Sequence, residues 1–234
     1  MLYMEDAYAR EFNAVVKRVE GNNIILDKTY FYAASGGQPN DTGKLIANEE
    51  YDVVNVIKDN NEIVHEVNKN GLKKDDKVKG TINWERRYKL MRMHTAAHVL
   101  SGIFYKETNA KITGGQLDLD KSRFDFSLEN FDRDKINEYF EKANELVKKD
   151  LKVKTYYISK KEAMNMPEIF KLAKALPDMD RFRIVEINGF DKQADGGTHV
   201  KSLMEIGKII FLKAENKGKD NRRVYYTLEK ITKV

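Results

Sequence analysis

Residues 84–106 read WERRYKLMRMHTAAHVLSGIFYK, and this stretch divides the chain into two kinds of sequence. Leu90, Met91, His94, Ala97, His98 and Leu100 to Ile103 recur at helical spacing, which predicts a helix from Trp84 to Lys106 buried along one side. Before it lie short β-branched and aromatic runs separated by turn residues. After it the pattern alternates between strand and helix.

Phe12–Val19, Ile24–Leu26, Tyr51–Ile57, Ile63–Val67 and Val78–Ile82 are the predicted strands of the first part. Gly21-Asn22-Asn23, Gly36-Gly37, Asp59-Asn60-Asn61 and Asn70-Gly71 mark turns between them, so hairpins wrapped into a small barrel follow. The expected boundary divides residues 1–82, a β-barrel-like domain, from residues 83–234. In the second part, 111–119 and 123–128 predict a hairpin and 132–150 an amphipathic helix with an acidic cap. Strands are expected over 152–158, 182–187, 208–214 and 222–227, and short helices over 160–166 and 167–176. The fold class expected is α+β.

The 234 residues are 41% hydrophobic and 34% charged, which excludes a wholly disordered chain. No run approaches the ~20 apolar residues of a membrane span, and Met1 to Phe12 has no secretion-signal pattern, so a cytoplasmic protein is expected. The absence of cysteine excludes disulfides, thiolate metal sites and cysteine nucleophiles. Residues 1–85 carry net charge −4 and residues 86–234 net +9, a basic second part that suits a polyanionic partner such as RNA. Arg86, Arg87, Arg92, Lys111, Lys121, Arg181, Arg183, Arg222 and Arg223 are the cations that could track it. Tyr88, Phe182, Tyr225 and Tyr226 are interleaved with them for base stacking or, equally, for a core.

Three of the four histidines fall in two motifs of equal spacing. His94-Thr95-Ala96-Ala97-His98 sits in the predicted helix, which places both imidazoles on one face, one turn apart. Asp195-Gly196-Gly197-Thr198-His199 repeats the spacing in a glycine-rich loop. Together they offer three nitrogens and a carboxylate, a donor set suited to one zinc ion. A single His-x3-His carries little weight; the second motif adds most of it. His65, in the run Ile63 to Val67, reads as an outward strand position. Ser35-Gly36-Gly37-Gln38-Pro39 brings backbone amides close enough for an anion but lacks the lysine and spacing of a P-loop, so no nucleotide cofactor is expected; a tight turn is the equal alternative.

The whole sequence resembles the AlaX-type alanyl-tRNA editing proteins, in their medium-length form, which are relatives of the alanyl-tRNA synthetase editing domain. The resemblance is carried by Thr29 to Tyr32 through Ser35 to Gly43, by Arg92 to Leu100, by Arg123 to Phe126, and by Asp195 to Val200 with Glu205-Ile206-Gly207. It implies a β-barrel-like domain followed by an α/β-sandwich editing domain. It further implies zinc-dependent hydrolysis of the ester joining serine, in some members glycine, to tRNA(Ala). The enzyme would be an aminoacyl-tRNA deacylase, and mischarged tRNA(Ala) its partner.

The family's ligands are His, His, Cys and His, and Asp195 stands at the cysteine position. Asp195 ligates zinc beside His94, His98 and His199, serves as the base while the three histidines hold the ion, or is a ligand altered when the protein was made. A metal-dependent hydrolase of another ester, or an inactive tRNA-binding module with a disabled centre, are the other readings. Thr113-Gly114-Gly115-Gln116 could meet the serine hydroxyl through Thr113 or Gln116, with Thr95 and Thr198 as further candidates. By the resemblance, Gly36 and Gly37 would help place the tRNA acceptor end.

Overall fold

The computed structural model describes residues 1–128, 132–170 and 179–230. The chain divides into two compact units, Met1–Leu90 and Met91–Val234.

The first unit is a closed six-stranded barrel. Its strands are β1 (Glu11–Glu20), β2 (Asn23–Leu26), β3 (Gly43–Ile46), β4 (Glu50–Asp59), β5 (Glu62–Val67) and β6 (Lys77–Ile82). They run in the order β1-β2-β5-β4-β3-β6, and the β1–β6 pairing, with Glu11 opposite Thr81, closes the ring and leaves no open edge. Alternation along β1 turns Phe12, Ala14 and Val16 inward to join Phe31, Leu45, Val53, Val56 and Val78 in one core.

Three expectations are corrected in this unit, those for β3, His65 and Arg87, and the reading of the glycine pair is decided. β3 is an additional strand; it has only one buried apolar residue, Leu45, and pairing with β4 and β6 defines it. His65 is fully buried rather than on the surface: its Nδ1 meets the Ile24 carbonyl at 3.0 Å and its Nε2 meets Thr29 Oγ1 at 2.9 Å. Arg87 is fully buried as well, paired with Asp41 and donating to the carbonyls of Ala7 and Tyr30, so it cannot touch RNA. Arg86 is half-buried, with Nε donating to the Asn40 carbonyl at 3.0 Å. Ser35 and Gln38 exchange backbone hydrogen bonds around Gly36 and Gly37, whose φ values of 57° and 88° are open to glycine at little cost. The segment is therefore a tight turn, with both glycines exposed.

α1 (Trp84–Thr108) continues from the first unit into the second. Its burial is not one-sided as expected: residues 90–104 are buried all round. In the second unit β7 (Ile112–Gln116) and β8 (Ser122–Phe126) form the expected hairpin, and α2 (Arg133–Lys148) starts at Asp132, whose carboxylate accepts from the amides of Asp134 and Lys135. β9 (Val153–Ser159) leads into α3 (Lys160–Met164), capped reciprocally by Ser159 and Glu162. Pro167–Ile169 is a single 3-10 turn, and residues 171–176 of the expected second short helix lie outside the described residues.

β10 (Arg181–Ile187) and β11 (Asp191–Ala194) complete a three-stranded sheet in the order β11-β10-β9. β12 (Ile209–Asn216) and β13 (Arg222–Leu228) join the hairpin in a four-stranded sheet, β12-β13-β8-β7. The architecture is thus α+β, a small barrel followed by sheets with helices. β11 escaped the sequence reading because its buried side chains are polar. Gln193 donates to Asp191 and to Ser101, and Ser101 in turn donates to the His98 carbonyl. Among the described residues, no helix is long and apolar enough to cross a membrane.

Candidate metal centre

Two elements bring the four sequence-nominated residues together. α1 supplies His94 and His98, and its burial holds both rings away from solvent at 7% and 4% exposure. The β10–β11 hairpin delivers Asp195, whose amide bonds to the Arg183 carbonyl at 3.0 Å as the hairpin ends. The loop then turns on its own side chain: Asp195 Oδ1 accepts the Gly197 amide at 2.6 Å. That turn returns the chain to His199, which is 4% exposed.

One ligand atom from each of His94, His98, Asp195 and His199 can be chosen so that all lie within 4.8 Å of one another. Asp195 divides its two oxygens. Oδ1 faces His199 Nε2 at 3.1 Å, and Oδ2 faces His94 Nε2 at 3.4 Å and His98 Nε2 at 3.9 Å. A tetrahedral ion with bonds of about 2.0–2.2 Å needs its ligand atoms about 3.4 Å apart. The carboxylate–imidazole separations bracket that spacing, and the mix of imidazole nitrogen with one anionic oxygen is a zinc donor set. The residues present therefore fit a zinc ion.

The electrostatics agree with that chemistry. Burial pushes the Asp195 carboxyl up, but the neighbouring imidazoles, His94 foremost, outweigh it and hold the acid well below the ordinary carboxylate range. Burial, with His94 and His98 adding their charge, pushes His199 well below the ordinary imidazole range. An ionised carboxylate and a neutral imidazole are the forms that bind metal, and both shifts run in that direction.

The loop and helix are held by residues first read as RNA contacts. Arg183 is 8% exposed and its Nη1 donates to the carbonyls of Asp195 and Gly197, at 3.0 Å each. Arg92, 6% exposed, donates to the carbonyls of Glu205, Ile206 and Glu229 and so ties α1 to the 3-10 turn Leu203–Ile206. Gly207 follows with φ 72°, and a Cβ there would press on the Arg92 guanidinium, which explains the residue type in Glu205-Ile206-Gly207. Tyr226 reaches from β13 to the Met93 carbonyl at 2.8 Å, beside His94. Phe182 and Tyr226 are core residues, not stacking platforms. Arg222 caps the β12–β13 turn through Asn216 and Gly218, and Arg223 pairs with Asp125. Lys111, Lys121 and Arg181 stay exposed. The signal for Arg183 was its place in a strand otherwise buried from Phe182 to Val185.

Thr95 and Thr198 are fully buried, and Thr95 touches the cluster through His199 Nδ1. Thr113 and Gln116 stand on β7, bonded to Asn221 and Arg123. Gly36 and Gly37 belong to the first unit.

Across 97% of its length the chain is 47% identical to a protein of Saccharolobus solfataricus named alanyl-tRNA editing protein AlaX-M, 98% of which it covers. The chain belongs to the AlaX-M family of alanyl-tRNA editing proteins. A second member, from Methanosarcina barkeri, is 49% identical with the same coverage of both chains. The alanine–tRNA ligase of Pyrococcus abyssi is 38% identical over 92% of this chain, which covers 24% of that enzyme. Residues 4–86 match the family of class II (A) tRNA synthetases, and residues 182–225 match the second additional domain of threonyl and alanyl tRNA synthetases. Asp195 and His199 fall inside the second match.

Proposed function

We propose that the chain is a trans-editing deacylase that hydrolyses the ester of serine, and secondarily glycine, on tRNA(Ala), with one zinc ion held by His94, His98, Asp195 and His199. The observation that carries this reading is the compact cluster of three imidazoles and a carboxylate in a chain of the AlaX-M family. A synthetase pocket shaped for alanine discriminates poorly against glycine, one methyl smaller, and against serine, one hydroxyl larger, which creates the need for a second hydrolytic site.

A zinc ion in this cluster supplies Lewis acidity toward an ester carbonyl or a water. His94 and His98 present their Nε2 atoms from one rigid, buried helix, so their separation is fixed before substrate arrives. Asp195 acts as ligand rather than as base, because its two oxygens both face ring nitrogens of the cluster, Oδ1 toward His199 and Oδ2 toward His94 and His98. At 23% exposure its side chain is the open side of the cluster, from which an ester enters. Thr113 and Gln116 are the groups for the serine hydroxyl, and both are only partly buried or exposed. Gly36 and Gly37, exposed on the first unit, are available to the tRNA, whereas Thr198 is fully buried within the ligand loop. The exposed Lys111, Lys121 and Arg181 serve the RNA backbone. The cytoplasm, where tRNA is charged, is the expected location.

The deciding experiment follows release of serine from Ser-tRNA(Ala), alongside Gly-tRNA(Ala), Ala-tRNA(Ala) and a free seryl ester, before and after chelation. Chelator-sensitive turnover of Ser-tRNA(Ala) over Ala-tRNA(Ala) and over the free ester is expected. Equal rates on the free ester would make it a general metal-dependent hydrolase. RNA binding with neither zinc nor turnover would make it a binding module.

A further inference from the structure

Thr95 sits between the two histidines of α1, fully buried, and its hydroxyl has three neighbours. A hydroxyl donates one proton and accepts two. The Met91 carbonyl, 2.9 Å away, can only accept, so it takes the threonine proton. The Val200 amide, 3.2 Å away, can only donate, so it takes one lone pair. What remains for His199 Nδ1, at 3.2 Å, is the other lone pair, and that contact is a hydrogen bond only when Nδ1 carries the proton. The other ring nitrogen, Nε2, faces Asp195 Oδ1 at 3.1 Å and so points into the cluster.

We propose that Thr95 is a positioning residue of the metal centre: it fixes the tautomer and ring plane of His199 so that Nε2 is the ligand, and through Val200 it pins the ligand loop to the helix carrying His94 and His98. The inference rests on the metal reading above. Valine at this position keeps the shape but removes the hydroxyl, which leaves the Val200 amide and His199 Nδ1 without their buried acceptor. Serine keeps all three bonds and loses only a methyl group.

The test uses the full chain stripped of metal and titrated with zinc against a chromophoric chelator, for the parent, Thr95→Val and Thr95→Ser. Outer partners of metal-bound histidines typically contribute about 10- to 100-fold in affinity. A loss in that range is expected for Thr95→Val, with Thr95→Ser close to the parent. Parent-like affinity in Thr95→Val, or equal loss in Thr95→Ser, overturns the proposal while leaving the metal reading intact. Failure of the parent to bind zinc sinks both. Should Thr95→Val fail to fold, histidine-ring 15N spectra of the zinc-loaded parent still decide: His199 protonated at Nδ1 and bound through Nε2 is expected, and the reverse assignment overturns it.

Discussion

Arg183 Nη1 stands 3.0 Å from the backbone carbonyl of Asp195 and 3.0 Å from that of Gly197, bridging the loop that carries two of the four candidate ligands. Both carbonyls would otherwise be left with a buried demand for a donor. One guanidinium nitrogen meets both, so a residue of the adjacent strand adds to the loop's own Asp195–Gly197 bond in setting its shape.

Arg183→Met should accordingly destabilise the protein by about 3 kcal/mol, since charge-assisted bonds to two carbonyls are lost. Zinc affinity should fall with it. Denaturant unfolding of the metal-free protein and zinc titration read the two effects separately. A variant with unchanged unfolding midpoint and unchanged affinity would show that the loop holds its own shape.

Asp195 can be tested by its neighbours in chemistry. Asp195→Asn removes the negative charge and should lose most of the zinc, and turnover with it. Asp195→Cys supplies a thiolate at a bond of about 2.3 Å, which this cluster can accommodate, and should bind zinc at least as tightly as the parent. Metal analysis of the three purified proteins checks the order, and full zinc in Asp195→Asn would remove the carboxylate from the ligand set.

His65 carries a pH dependence. Its Nδ1 must donate to the Ile24 carbonyl, so Nε2 accepts from the Thr29 hydroxyl, and the neutral ring is complete. Burial pushes its pKa down to about 4. Above the ordinary histidine pKa of about 6.5 neither folded nor unfolded state binds the proton. As pH falls below that, the unfolded chain takes it and the folded barrel refuses until about pH 4. Stability is therefore full above about pH 6.5 and drops by about 3 kcal/mol on the way down. Unfolding free energies of parent and His65→Gln, compared at neutral and acid pH, should diverge by that component; parallel curves would count against it.

The buried pair of Arg87 and Asp41 makes a further prediction. Asp41 also accepts the Tyr32 amide, and Arg87 also donates to Ala7 and Tyr30, so every polar atom of the pair has work. Arg87→Met strands a buried carboxylate and should cost about 3–5 kcal/mol, read by chemical denaturation. A small loss there would mean that water reaches Asp41.

The strands whose apolar residues alternate, such as β1 and β6, and the helix bearing Leu90 to Ile103 were legible as elements because local spacing separates strand from helix, although the helix is buried on every side from residue 90 to 104. The His94–His98 half of the donor set was legible for the same reason: four residues apart on a helix is one turn in any fold. β3 and β11 were not, since one is defined by its partners and the other buries polar groups satisfied from elsewhere in the chain. Nor were the arginines. Charge alone suggested a phosphate partner for Arg87, Arg92 and Arg183, but only tertiary structure shows each guanidinium buried against carbonyls or a carboxylate. The sequence by itself determined most of the elements and the chemistry of the four candidate ligands, because both depend on spacing along one chain. Their meeting in one cluster, the contacts of Thr95 and the fate of each buried charge depend on which distant groups a side chain meets, and that only the folded chain decided.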